Sequence, residues 1–336
     1  MYELLLSGSY YDIGLKIGKM LKKEKDNGFP PKFSNEDIEK GKDYEKEVRK
    51  YAPELLEELQ GIADGSGIDY NVLVAFELSP FRNQPSCLVM AISGEHTKSG
   101  LPVFARNHEW VEEDSKALTL CYTKPKRKIN SLGFTFYWML LSRFGGINEA
   151  GLAISSASAS FVNSGPGVML NITTRWILDN CRTTEEAVAF LEKIPKVWGI
   201  AYLIMDRNTI AKVEAHREKT KVTYTEGFEF VTLRFDSPEM VPYNEEEDPF
   251  LDLYSARKDF LTKWFFHNKG NIDDDLIIRV LKDHEHKMCY HNPGDNVSYG
   301  TCWSWIVTPG KDEVLVCAGP PCKNEFKKYF LDKKDF

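Results

Sequence analysis

No stretch of this chain approaches the roughly 20 consecutive apolar residues that a bilayer crossing needs. The N-terminus offers only Leu4–Leu6 before it turns polar, so a secretory leader is not expected. Basic charge is also short: 43 Lys and Arg against 50 Asp and Glu give a formal net charge of −7, which argues against nucleic acid as a partner. The seven cysteines (87, 121, 181, 289, 302, 317, 322) are odd in number, widely scattered and free of any CxxC pair. That usage reads as reduced thiols in a cytoplasmic protein, and it leaves the sequons at Asn171 and Asn296 incidental. There is no GxGxxG or P-loop, and Gly145-Gly146 is too sparse to cradle a phosphate. No internal repeat or low-complexity linker divides the 336 residues, so one domain over 1–336 is expected.

What is present is a cysteine in a chemically suggestive place. Cys87 opens an apolar run (Leu88-Val89-Met90-Ala91-Ile92), and a second run from Leu101 ends in Arg106-Asn107-His108-Glu109-Trp110. The turn-rich segment Ser93–Gly100 lets the two runs pair as a hairpin, which would return Arg106 and Glu109 toward Cys87. A thiol beside a fixed cation can act as a nucleophile, because the cation stabilises the anionic sulfur. The competing reading is a buried strand cysteine near a surface charge cluster.

Around this pair, the periodicity predicts an opening strand (Tyr2–Leu6), a helix over Tyr10–Lys23, a helical region holding Leu55, Leu59 and Ile62, and a helix over Asp69–Phe81. Strands are predicted at Leu118–Tyr122, Phe134–Leu141 and Leu152–Ser156, with Asn148–Gly151 as a turn. Helices near Val168–Cys181 and Thr184–Leu191 follow, then strands at Ala201–Met205, Ile210–Ala215, Lys221–Tyr224 and Phe228–Leu233. Helices at Leu251–Phe266 and Asp273–Lys282 precede strands at Ser304–Val307 and Val314–Cys317. Alternating blocks of strands and helices imply an α+β protein of layered sheets with helices outside.

The chain resembles the acyl-coenzyme A:6-aminopenicillanic acid acyltransferase family, the cysteine branch of the N-terminal-nucleophile hydrolases; choloylglycine hydrolases and acid-ceramidase-like amidases are more distantly similar. The resemblance runs through Leu6–Gly14, Glu57–Gly67, Cys87, Arg106–Trp110, Gly146–Leu152, Ser255–Arg257, His284–His291 and Cys317–Cys322, in that order. It implies a four-layer αββα sandwich. It also implies cleavage of the Ser86–Cys87 bond, with residues 1–86 as a pro-segment and 87–336 as the catalytic segment. The freed α-amine, with an ordinary pKa of about 7.7–8.0, would serve as base for its own thiol. An S-acyl enzyme at Cys87 would then pass its acyl group to water or to an amine. The substrate would be a small-molecule amide or acyl compound; no cofactor, nucleic acid or membrane span is expected, and a homo-oligomer is left open.

By the same resemblance, Arg106 would sit near the thiolate, Glu109 would hold the α-amine in place of an aspartate, and Arg257 would enter the substrate pocket. Several positions depart from the family pattern. Ser86 and Leu88 flank the cysteine where glycine and threonine or serine are usual. Leu233 stands where relatives carry an oxyanion-hole asparagine, a donor whose loss typically costs about 2.7–4 kcal/mol. Asn107, Arg234 or a backbone N–H are the candidate replacements. An uncleaved, non-catalytic binding or structural protein of the same fold is the second reading.

His284, His286, Cys289 and His291 suggest zinc, yet His-x-His-x-x-Cys-x-His is not a usual structural-zinc spacing, and a packed segment without metal is the expectation. Cys317 and Cys322 flank Pro320-Pro321 and read as a packed turn rather than a redox pair.

Overall fold

The structure, a computed structural model, describes residues 1–23, 29–80, 87–247, 250–292 and 297–331. The chain begins with β1 (Tyr2–Gly8) and then α1 (Tyr10–Leu21), α2 (Asn35–Tyr51), α3 (Pro53–Ser66) and α4 (Tyr70–Leu78). Six strands follow: β2 (Leu88–Ile92), β3 (Val103–Val111), β4 (Leu118–Pro125), β5 (Ser131–Phe136), β6 (Gly145–Asn148) and β7 (Ala153–Ser160). Next come α5 (Leu170–Asn180), α6 (Thr184–Lys193), β8 (Gly199–Met205), β9 (Ile210–Ala215), β10 (Thr220–Thr225) and β11 (Phe228–Val231). The chain closes with α7 (Leu251–Asn268), α8 (Asp274–Lys282), β12 (His291–Asn292), β13 (Tyr299–Val307), β14 (Glu313–Ala318) and β15 (Lys327–Phe330).

These strands form two sheets. One runs β1-β4-β5-β6-β7-β8-β9-β10; the other runs β11-β2-β3-β13-β14-β15, with β12 attached to β13. Their inner faces meet in one apolar core, where Phe104 and Phe134, one from each sheet, stack on Trp305. The outer face of the first sheet is covered by α5 and α6, with α1 and α3 packed in the same helical layer. The outer face of the second sheet buries Leu88, Met90, Ile92, Val103 and Ala105 against Leu261 and Phe265 of α7 and Ile277, Val280 and Leu281 of α8. The four-layer αββα order expected from the resemblance is therefore present. No helix among the described residues is long and apolar enough to cross a membrane.

Local chemistry explains the helical layer. Ser9 caps α1 in a reciprocal capping box with Asp12, and Ile13, Ile17 and Leu21 recur on its buried face. α1 can approach α3 closely only because Gly14 and Gly18 face it; a Cβ on Gly14 would overlap the backbone carbonyl of Glu58. The β6–β7 turn closes with Gly151 at φ +86°, the left-handed conformation that glycine adopts without strain.

Three expectations need correction. The strand predicted over Phe134–Leu141 ends at Phe136, and that predicted over Phe228–Leu233 ends at Val231. α2 was not foreseen: it is polar on nearly every face and buries only Gly41 and Val48, so it lacks the apolar period that reveals a helix. Its signal is instead the capping box Ser34–Asp37. β12 and β15 are too short or too polar to stand out.

Glu77 on α4 is buried and accepts a hydrogen bond from Ser142 Oγ at 3.0 Å, and burial pushes its carboxyl up from 4.5 to about 8. Between those two values the folded chain holds a proton that the unfolded chain has released, so this group makes stability fall as pH rises through the window. Glu77→Gln is expected to flatten the decline in melting temperature measured from about pH 5 to about pH 8. Parallel declines in both proteins would contradict this assignment.

Candidate active site

β2 and β3 pair antiparallel, with Leu88 opposite Asn107 and Val89 opposite Arg106. Side chains alternate across each strand. On β3, Phe104, Arg106, His108 and Trp110 therefore face the other sheet, and Val103, Ala105, Asn107 and Glu109 face the helices. Cys87, at the head of β2, lies on the inter-sheet side and is 5% exposed.

The guanidinium of Arg106 organises this point. Its Nη2 donates to Cys87 Sγ at 2.8 Å and to His108 Nδ1 at 2.9 Å. Its Nη1 donates to Ser155 Oγ on β7 of the opposite sheet, and that hydroxyl in turn donates to the Phe144 carbonyl at 3.0 Å. His108 Nδ1 lies 3.9 Å from Cys87 Sγ, and its ring stacks on Trp303 with centroids 3.9 Å apart and planes 5° from parallel. Burial, aided by the neighbouring Arg106 charge, pushes His108 well below its usual range, so the imidazole is neutral. Acceptance from Arg106 at Nδ1 assigns its proton to Nε2.

The cleft at the thiol is lined by Cys87, Arg106, His108, Trp110, Phe144, Ser156, Ser158 and Leu170. Its free space is about 10 Å³, room for at most about one water, so an acyl group would need the cleft to widen. A larger cavity of about 420 Å³ lies beyond the other end of β2, lined by Ser93, Asp206 and Arg207 among others. At the ordinary strand rise it is roughly 20 Å from the thiol, and it has no part in this chemistry.

Of the candidate residues, the structure brings together Cys87 and Arg106 and does not bring Asn107, Glu109 or Arg257 to them. Glu109 lies three residues beyond Arg106, on the opposite face of the strand. Both its carboxylate oxygens accept from Arg257 of α7, and the pair is buried. Arg257 also donates to Thr232 Oγ1 at 3.0 Å and, through Nε and Nη2, to the Lys287 carbonyl at 3.0 and 2.9 Å. Burial pushes the Glu109 carboxyl above its ordinary range, opposed by the Arg257 charge. Arg257 is fully buried in this pairing and is not among the residues that line the cleft at the thiol.

Asn107 is likewise engaged on the helix side. Its Nδ2 donates to the carbonyls of Leu281 at 3.0 Å and Met288 at 2.9 Å, and its Oδ1 accepts from Ser304. Every polar atom of that amide is occupied, so it is not an oxyanion donor here. Arg234 lies outside the cleft lining, with its guanidinium 5.6 Å from the Tyr254 ring centroid. Leu233 is buried against Leu253 and Tyr254. Ser86, the other half of the expected scissile bond, lies outside the described residues.

His108 and Ser155 were missed from the sequence. For His108 a signal existed: it lies two residues from Arg106 on a strand, and that spacing places both on one face. Ser155 comes from the other sheet, and no local pattern points to it.

Two facing sheets between helical layers, with a buried cysteine–arginine–histidine cluster at the edge of the inner core, define the class of protein. The chain belongs to the acyl-coenzyme A:6-aminopenicillanic acid acyl-transferase family, which matches residues 96–319, two thirds of its length. Arg106, His108, Glu109 and Arg257 fall inside the matched segment, and Cys87 lies just ahead of it. Solved structures to which the chain is similar include the Caenorhabditis elegans ortholog of N-acylethanolamine-hydrolyzing acid amidase, at 14% identity and TM-score 0.49, covering 73% of this chain and 100% of that one. Penicillin V acylase from Agrobacterium tumefaciens matches at 16% identity and TM-score 0.43, over 68% of this chain and 82% of that one. A variant of conjugated bile acid hydrolase from Clostridium perfringens matches at 16% identity and TM-score 0.44, over 74% and 98%. No curated protein matches the chain in sequence.

Replacing Arg257 by methionine leaves the Glu109 carboxylate buried without its partner, and the expected loss is about 3–5 kcal/mol in urea unfolding. The double variant Glu109→Gln/Arg257→Met should recover part of that loss. A single variant as stable as the parent would refute the structural role assigned to the pair.

Proposed function

We propose that this protein is a self-processing amidohydrolase or acyltransferase that works through an S-acyl intermediate on Cys87. The observation that supports this reading best is the Arg106 guanidinium donating to Cys87 Sγ inside a buried, partly apolar cleft. That donor is already in place for negative charge developing on sulfur, and burial strengthens its effect. Family membership adds acyl transfer as the class of reaction.

In the first step Sγ attacks the carbonyl carbon of residue 86, and the peptide C–N bond breaks. This leaves a thioester to Cys87 and a free α-amine. Water then cleaves the thioester, giving the carboxylate of residue 86 and the regenerated thiol. In the catalytic cycle the α-amine accepts the thiol proton as Sγ attacks a substrate acyl carbon, and the substrate amine leaves with that proton. Water completes hydrolysis; an incoming amine completes transfer. Arg106 stabilises the sulfur anion. His108 is a positioning residue, because its neutral Nδ1 holds the Nη2 group that also reaches Sγ. Trp110, Phe144 and Leu170 suit an apolar acyl body, and Ser156 and Ser158 offer hydroxyls at the cleft wall.

After cleavage the first segment would remain bound. β1 pairs with β4 from Tyr2 opposite Thr119 to Gly8 opposite Pro125, and α1 and α3 lie in the outer helical layer.

Intact mass of the freshly purified protein, beside Cys87→Ala, tests the proposal. Two co-eluting fragments that divide at residues 86 and 87, absent from the variant, are expected. One full-length mass in both proteins would overturn self-processing and favour an uncleaved binding protein, a reading to which the outward-turned Asn107 and the donorless Leu233 already lend some weight.

A further inference from the structure

A second cluster, on the outer side of the second sheet, joins segments that are distant in sequence. His284 and Cys289 lie in the turn after α8, His291 begins β12, and Cys322 sits in the turn after β14. One donor atom from each of the four lies within 4.8 Å of the others. His291 Nε2 is 3.6 Å from Cys289 Sγ and 3.4 Å from Cys322 Sγ. The His284 ring centroid is 5.4 Å from that of His291.

We infer that these four residues form a closed, tetrahedral Zn²⁺ site of the Cys₂His₂ type, distinct from the Cys87 cleft. Three observations carry the inference. Zinc bonds of about 2.3 Å to sulfur and 2.0–2.1 Å to nitrogen, at tetrahedral angles, put neighbouring sulfur and nitrogen donors about 3.5–3.6 Å apart. The two distances to His291 Nε2 bracket that value.

The second is the histidine's other nitrogen. His291 Nδ1 donates to Glu112 Oε1 at 2.6 Å, which turns Nε2 toward both sulfurs. An electrophile at the centre satisfies that geometry, and a carboxylate behind a metal-binding imidazole is the usual means of fixing its tautomer and orientation. The third is Gly300, where a Cβ would collide with the Glu112 carboxylate and lie 3.1 Å from His291 Nδ1. The backbone leaves this approach open.

Two thiolates and two imidazoles favour zinc over the oxygen-seeking Mg²⁺ and Ca²⁺. Binding releases the two thiol protons to solvent and leaves a neutral centre. The ion fastens the α8–β12 turn to the C-terminal turn. That same turn supplies the Lys287 and Met288 carbonyls that receive Arg257 and Asn107, so the metal holds in place the outer support of β3.

The test equilibrates the full chain with one equivalent of Zn²⁺ under reducing conditions and measures metal after gel filtration. About one zinc per chain is expected in the parent and in Cys317→Ser, and almost none in Cys289→Ser or Cys322→Ser. Glu112→Gln should weaken affinity by about 10–100-fold. Co²⁺ bound to the unaltered protein should give thiolate-to-metal charge-transfer bands and intense tetrahedral visible bands, a readout that depends on no variant folding. Chelation should lower the melting temperature by at least about 5 °C. Zinc equally retained by Cys322→Ser, or no retention by the parent, would overturn the site. So would a Cys289–Cys322 disulfide in protein kept reduced.

Discussion

One guanidinium ties the two sheets together at the point where chemistry is proposed. Arg106 reaches across the core to Ser155 on β7 while its other terminal nitrogen serves Cys87 and His108 on its own sheet. A buried cation of this kind needs partners, and here both terminal nitrogens of the guanidinium find them, one on each sheet, while Nε is left without one. The same demand shapes the surroundings. His108 must remain neutral beside Arg106, and burial keeps it so.

The opposite face of β3 solves a different problem. Glu109 and Asn107 point into the helical layer, where Arg257 and the carbonyls of Leu281 and Met288 satisfy them. One strand thus carries a row that faces Cys87 and a row that anchors it to the helices, separated by the two-residue period of the β-strand. The turn from His284 to His291 forms the outer boundary of the anchoring row, and an ion there would extend the anchoring to the C-terminal turn.

Much of this was legible in advance. The hairpin that brings Arg106 to Cys87 follows from two apolar runs around a turn-rich segment, and the αββα layering follows from the order of elements together with the family resemblance. Glu109 joins Cys87 in the sequence reading because it stands where the family has an aspartate, and Asn107 as a candidate oxyanion donor, whereas strand alternation separates 106 and 108 from 107 and 109. Ser155 was invisible because inter-sheet contacts leave no local pattern. The zinc reading was set aside on spacing: three of the four donors lie close together, but the fourth, Cys322, arrives from 31 residues beyond His291 and only folding reveals it. α2 escaped for the opposite reason, since a helix polar on nearly every face has no apolar period to read.

The reactivity proposed for the Cys87 thiol rests on Arg106. It is tested most directly by alkylation with iodoacetamide at neutral pH, followed by peptide mass spectrometry that resolves Cys87 from the other six cysteines. Cys87 should be modified at least about tenfold more slowly in Arg106→Leu than in the parent, with circular dichroism unchanged between the two. Equal rates at Cys87 in a folded Arg106→Leu protein would contradict the account.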